Sequence, residues 1–361
     1  MYSLQRFLQH FTYVNELRQD NAEKAARIAE LRTEMQRGEE ARHVVKAESD
    51  RLRQRLAKLE QANEDLREQV EELKSRPSPT WVPPGHFYSP LVDPGEDFVD
   101  LALTEEAEPT ATPDQLGLDE ELMISWFDAI SATYLAFPFP EKHTAGRLYY
   151  YANPHFPLAD ALALLTFFRN KAPVKYVEIG CGFSTCAAMD ANEHFLRGKV
   201  EMTLVEPFPD LLLNLIGEQC PPRFRLIRSK LQAVPVEEFT KLEAGDILFI
   251  DSSHVGKTGS DVVHYLFHIL PRLRPGVLIH IHDIFYPFEY PRAWVVNENR
   301  SWNEAYLLRA FLSGNLHFRV LYSSDFFFKC RRNLVAAKMP LCIEHRGGSL
   351  WLEKVNAPRS I

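Results

Sequence analysis

Apolar positions recur in steps of three and four residues through the first fifth of the chain. From Val14 the steps land on Leu17, Asn21, Lys24, Ile28, Leu31, Met35, Gly38, Arg42, Val45, Ser49, Leu52, Leu56, Leu59, Asn63, Leu66, Val70 and Leu73. Twelve of these eighteen positions are apolar, and no proline occurs in residues 1–76. A 3.5-residue repeat sustained over that length predicts a coiled-coil oligomerisation helix over residues 1–76. At 1.5 Å per residue the repeat spans roughly 90 Å. Asn21 and Asn63 fall on core positions, where a buried amide fixes register and favours a parallel pair, so a homodimer is expected. Gly38, Arg42 and Ser49 loosen the middle of the seam.

The period stops at residues 77–121, which hold eight prolines, eleven Asp or Glu and no Lys or Arg. Proline removes backbone donors and like charges repel, so this stretch reads as an acidic, Pro-rich linker. Trp81, Phe87 and Tyr88 are its candidates for docking on a neighbour. From residue 122 the pattern becomes globular. ELMISWFDAISATYLAF and PLADALALLTFFRN read as helices, and the short apolar runs VKYVEI, VEMTLVE, FRLIR, DILFID and GVLIHIHD then alternate with helical stretches. Strands interleaved with helices predict an α/β fold with a doubly wound, Rossmann-like parallel sheet. This domain is placed over residues 122–335, with the first helices as an N-terminal cap. FRVLY and DFFFKC read as a terminal hairpin, and residues 336–361 as a C-terminal tail.

Charge narrows the partners. The net charge of -8 argues against nucleic acid, whose phosphates need clustered Lys and Arg. Five cysteines (Cys181, Cys186, Cys220, Cys330 and Cys342) are odd in number and lack CxxC spacing, which fits a reducing compartment better than a zinc site or a disulfide framework. MYSLQRFLQHFTYV lacks the basic and apolar regions of a signal peptide, and no run of about 18 apolar residues occurs. The expectation is a cytoplasmic protein with no membrane span.

VKYVEIGCGFSTCAAMDA reads as a strand, a glycine turn and a helix opening at Ser184 or Thr185. Gly180 and Gly182 allow close backbone approach, and the helix start offers free N–H groups. The spacing is GxGxS, not the GxGxxG that seats a pyrophosphate, which disfavours an NAD-dependent oxidoreductase. Glu178 precedes the turn; a carboxylate there would repel a diphosphate but suits a cationic amino-acid portion. The next strand ends in Glu206, placed to take both hydroxyls of a ribose. Ser229, Leu231 and Gln232 follow the third strand as candidates to face an adenine. Taken in order, these features fit S-adenosylmethionine (SAM) better than NAD.

EIGCGFST, VEP, GDILFIDSSH and HIHDIF resemble the class I methyltransferases over roughly residues 145–330. Within them the chain is most similar to the macrocin O-methyltransferase and cephalosporin hydroxylase-like group. That resemblance implies a divalent cation, Mg or Mn, held at positions matching Asp251, His282 and Asp283. His282 departs from it, standing where those relatives have a carboxylate. It also implies an O-methyltransferase acting on a hydroxyl of a saccharide or glycosylated metabolite. The alternative is a coiled-coil scaffold carrying a non-catalytic SAM-binding domain.

Ligands of open α/β sheets bind outside the C-terminal strand ends, which brings Asp251 and Asp283 to the cofactor side. A sugar hydroxyl must lose a proton to accept a methyl group, by metal acidification or to a positioned base. His254, three residues after Asp251, is the candidate base, with Asp251 and Asp283 beside it. Strand alternation puts His280 and His282 on one face and Asp283 on the other; His280 reads as a core histidine. Lys257 and Asp261 read as a loop charge and a helix cap. FYPFEYPRAW reads equally as a lid for a sugar face or a structural loop. SWNE reads as a capping box, Ser301 with Glu304, which sets Glu304 aside from catalysis. Tyr150, Tyr151 and Asn153 are candidates to cover the methionine end.

Overall fold

The computed structural model describes residues 2–75, 81–95, 113, 116–136, 139–217 and 223–356. The chain divides into two compact units, Met1–Trp81 and Val82–Ile361. Much of the acidic linker, residues 96–112 included, lies outside the described residues, as does Cys220.

The first unit is one helix, α1 (Tyr2–Ser75). Helix-favouring Glu, Lys, Arg, Leu and Ala fill it, and side chains one turn apart pair on its surface, such as Lys24 with Asp20 at 2.6 Å. Its apolar seam, including Leu31, Met35, Leu52, Leu56, Leu59 and Leu66, stands exposed along the length. Among the described residues no helix is long and apolar enough to cross a membrane.

The second unit is built on one sheet. Among the described residues its strands are β1 (Lys175–Ile179), β2 (Glu201–Val205), β3 (Phe224–Ile227), β4 (Ile247–Ile250), β5 (Leu278–Ile281), β6 (Phe318–Ser323) and β7 (Leu350–Lys354). Their order is β3-β2-β1-β4-β5-β7-β6. The first five pair in parallel, and β7 runs antiparallel between β5 and β6. Strands β4 and β5 are buried at every position, which is why their sequences are unbroken apolar runs. The glycine turn leads into α4 (Phe183–Leu196), which packs on α3 (Leu158–Lys171). The expected cap is α2 (Glu120–Tyr134), started by Asp119, whose carboxylate accepts the Leu122 amide at 3.0 Å. Its Trp126 stacks on Phe167, which stacks in turn on Trp351 of β7.

Two expectations fail at the C-terminal end. DFFFKC is not a strand but the helix α9 (Ser324–Cys330), its three phenylalanines packed into the core. The antiparallel partner of FRVLY is instead LWLEK, in the stretch read as a tail. A short apolar run has no period that separates a buried helix from a buried strand, and a five-residue strand is recognised only by the neighbours that pair with it.

Candidate active site

The glycine turn is closed by its own residues. Glu178 is fully buried and accepts hydrogen bonds from the Ser184 hydroxyl at 2.6 Å and the Thr185 hydroxyl at 2.8 Å. Burial pushes its pKa up to about 8, against the lowering effect of those two bonds. Glu178 therefore ties the end of β1 to the start of α4 rather than facing open space. Gly180 has φ +80°, and a Cβ there would lie 1.7 Å from the Asp251 carbonyl oxygen. Glycine is required because the ends of β1 and β4 touch.

Glu206 directly follows β2 and is partly exposed; it accepts the Cys181 amide at 3.3 Å and the Phe208 amide at 2.8 Å. It thus stands beside the turn. Gln232 donates to the Gly259 carbonyl at 2.7 Å, tying the loop after β3 to the loop after β4. Leu231 is buried, and the Ser229 hydroxyl donates to the Lys230 carbonyl at 3.2 Å. Tyr150 lies edge-on to Phe183 at the helix start, 5.7 Å between ring centres. Asn153 is consumed by its own turn, donating to Tyr150 and Phe156 carbonyls and accepting two amides. Asp261 accepts the Ser253 amide and hydroxyl, and the Ser260 hydroxyl accepts the Lys257 amide, so this loop is internally bonded.

The chemical centre lies at the ends of β4 and β5. His254 is buried, at φ +59°, and its Nδ1 lies 2.7 Å from Glu304. Its Nε2 lies 3.4 Å from Asp251 and 3.8 Å from Asp283. Tyr265 donates to the other Glu304 oxygen at 2.5 Å, and Trp302 lies against the imidazole, 4.2 Å between centres. Burial alone would lower the His254 pKa; hydrogen bonds to Asp251 and Glu304 outweigh it and hold the value well above 6.5. Burial likewise favours the neutral acid at Asp251, but His282 and His254 keep it below its ordinary value. Asp283, also at positive φ, is raised by burial. Left-handed backbone at two non-glycine residues of one site is strain of the kind that functional geometry holds in place.

Glu304 corrects the capping-box reading. The helix it opens is α8 (Glu304–Leu312), capped at Asn303, and the Ser301 hydroxyl instead accepts the Val92 amide at 3.3 Å. Glu304 is fully buried, fifty residues beyond its histidine, so no local signal marked it. Asp160, on α3, was also missed. It is buried and accepts the Gly348 amide, the Ser349 amide and the Ser349 hydroxyl. His282 stands between it, at 4.0 Å, and Asp283, at 3.6 Å. His280 shares the face of His282 and stacks on Phe249 at 3.9 Å, as a core histidine should.

The expected metal set does not assemble. Among the described residues no group of three or more His, Cys, Asp or Glu side chains is arranged to hold a metal ion. His254 Nε2 already occupies the space beside Asp251, at 3.4 Å, and Asp283, at 3.8 Å, while His282 is shared between Asp283, at 3.6 Å, and Asp160, at 4.0 Å. The aromatic segment after β5 is also more structural than lid-like. Tyr286, Phe288 and Tyr290 are buried, and the Tyr290 hydroxyl accepts the Ala305 amide at 3.0 Å.

Residues 177–284 match a family model described as a methyltransferase domain. A protein of Archaeoglobus fulgidus, described only as uncharacterized, is 36% identical over 167 residues, covering 45% of this chain and 73% of that one. Two solved structures are similar at low identity. The O-methyltransferase TomG from Streptomyces achromogenes, in complex with SAM, has a TM-score of 0.36 and 12% identity over 68% of this chain and 93% of its own. The SAH-bound Podospora anserina methyltransferase PaMTH1 has a TM-score of 0.33 and 16% identity over 57% and 83%. The fold assignment rests on the strand order, not on these distant likenesses. The chain belongs to the family of the archaeal protein, and the methyltransferase domain on its Rossmann-like sheet makes it a SAM-dependent methyltransferase.

Proposed function

We propose that the protein is an O-methyltransferase acting on a hydroxyl of a saccharide or glycosylated metabolite, with His254 as general base. One observation carries this reading: the Nδ1 contact to Glu304 at 2.7 Å fixes the imidazole and leaves Nε2 toward the strand ends. A base oriented by a buried carboxylate is the arrangement that hydroxyl activation requires. The acceptor oxygen attacks the methyl carbon in line as the carbon–sulfur bond breaks. The bonding pair goes to sulfur, the sulfonium becomes a neutral thioether, and the hydroxyl proton passes to Nε2. No step is routed through a divalent ion. Glu206 and the backbone of the 180–182 turn are the groups placed to hold the donor.

The exposed seam of α1 supports pairing with a second copy as a parallel coiled coil. A non-catalytic scaffold is the weaker reading, since the buried His254–Glu304 pair carries strain that a mere binder does not need. The test is transfer of a labelled methyl group from SAM to a panel of saccharide hydroxyls, with His254→Gln alongside. Labelling by the native chain and its loss in the variant is expected. Full transfer by the variant would overturn the base assignment, and no labelling of any saccharide would overturn the acceptor class.

A further inference from the structure

A second cleft lies at the other end of the sheet from Asp283. It opens where β5 begins and β7 ends: the Gly276 amide donates to the Lys354 carbonyl at 2.7 Å, and the Lys354 amide to Val277 at 2.9 Å. Its volume is about 390 Å³, with Leu273, Phe311 and Phe318 among its walls and Asn315 and His317 beside them. Phe318 and Lys354 are directly paired across β6 and β7, so both side chains leave the sheet on one face. The Lys354 ammonium accordingly lies over the Phe318 ring, 4.3 Å from its centre.

Lys354 is only 7% exposed, and its ammonium has no carboxylate partner among the described residues. No lining residue is acidic. The nearby acids are already matched, Glu353 to Arg319 and Glu243 to Arg274. The stem of Lys354 is buried, and its ammonium, which faces the cleft beside one aromatic ring, gains from an anion. Burial also holds its pKa below the ordinary lysine value.

We propose that this cleft binds a small organic carboxylate with an apolar body, the carboxylate on Lys354 Nζ and the body against the wall formed by Leu273, Phe311 and Phe318. A phosphate would leave the Leu273, Phe311 and Phe318 walls unfilled, although Asn315, His317 and Asn356 also line the cleft. The inference is independent of the methyl-transfer chemistry.

The test is calorimetric titration of the full chain at pH 7 with phenylacetate, inorganic phosphate and phenylethanol. Saturable binding of phenylacetate at one site per chain is expected, with neither of the others binding comparably. Lys354→Met, which keeps the apolar stem and removes the buried charge, should fold and bind at least tenfold more weakly. Phe311→Trp should also weaken binding, by filling the cleft while the lysine remains. Absent saturation, preference for phosphate, or undiminished binding by Lys354→Met would each overturn the proposal.

Discussion

At His254 a left-handed backbone, a buried carboxylate on one nitrogen and two more on the other act on a single side chain. A base must first be free of its proton, so turnover is expected to rise with pH through a value above the ordinary histidine pKa of about 6.5. Glu304→Gln removes one of the groups that raise it, and the rising limb should move to lower pH; a pH–kcat profile that stays in place would remove Glu304 from the mechanism. His254→Gln should lower kcat by about 10²–10⁴-fold while leaving SAM affinity intact, as read by calorimetry. The same raised pKa links to stability. The imidazolium stabilises the fold fully below about pH 6.5, and the contribution fades as pH rises through the folded-state value. His254→Gln should therefore lose more unfolding free energy at pH 6 than at pH 9 in denaturant titrations. Asp251, His254 and Asp283 were legible because each follows an apolar strand. Glu304 and Asp160 were not, because they reach the site from distant helices and resemble ordinary cap and helix residues.

Elements meet most tightly where β1 passes β4. Gly180 combines positive φ with a Cβ position already filled by backbone, and neither neighbour can yield without breaking the Asp251 amide bond to Ile179 at 2.8 Å. Gly180→Ala is expected to cost about 2–4 kcal/mol, seen as a lower denaturant midpoint, and to weaken SAM binding. A midpoint within error of the native chain would mean that the two strand ends part without cost. The parallel strands were readable from sequence because burial on both faces demands unbroken apolar runs. The edge was not, because DFFFKC and LWLEK are each short and apolar and only pairing separates the helix from the strand.

On the scale of the whole molecule, the chain joins a helix whose seam leucines Leu31, Leu52, Leu56, Leu59 and Leu66 stand exposed to a domain that buries its own core. If the proposed pairing through α1 holds, charging that seam with Leu56→Glu and Leu59→Glu should lower the mass to that of a monomer in sedimentation velocity, with SAM affinity unchanged; an unaltered mass would assign the seam no role in assembly. The sequence by itself determined the long helix, the five parallel strands and the glycine turn, because each depends on local period, propensity and backbone freedom. Only the tertiary structure decided that β7 divides β5 from β6, that Glu304 holds His254, and that His254 reaches Asp251 and shares Asp283 with His282. Those outcomes depend on contacts between residues far apart in the chain, and such contacts leave no period to read.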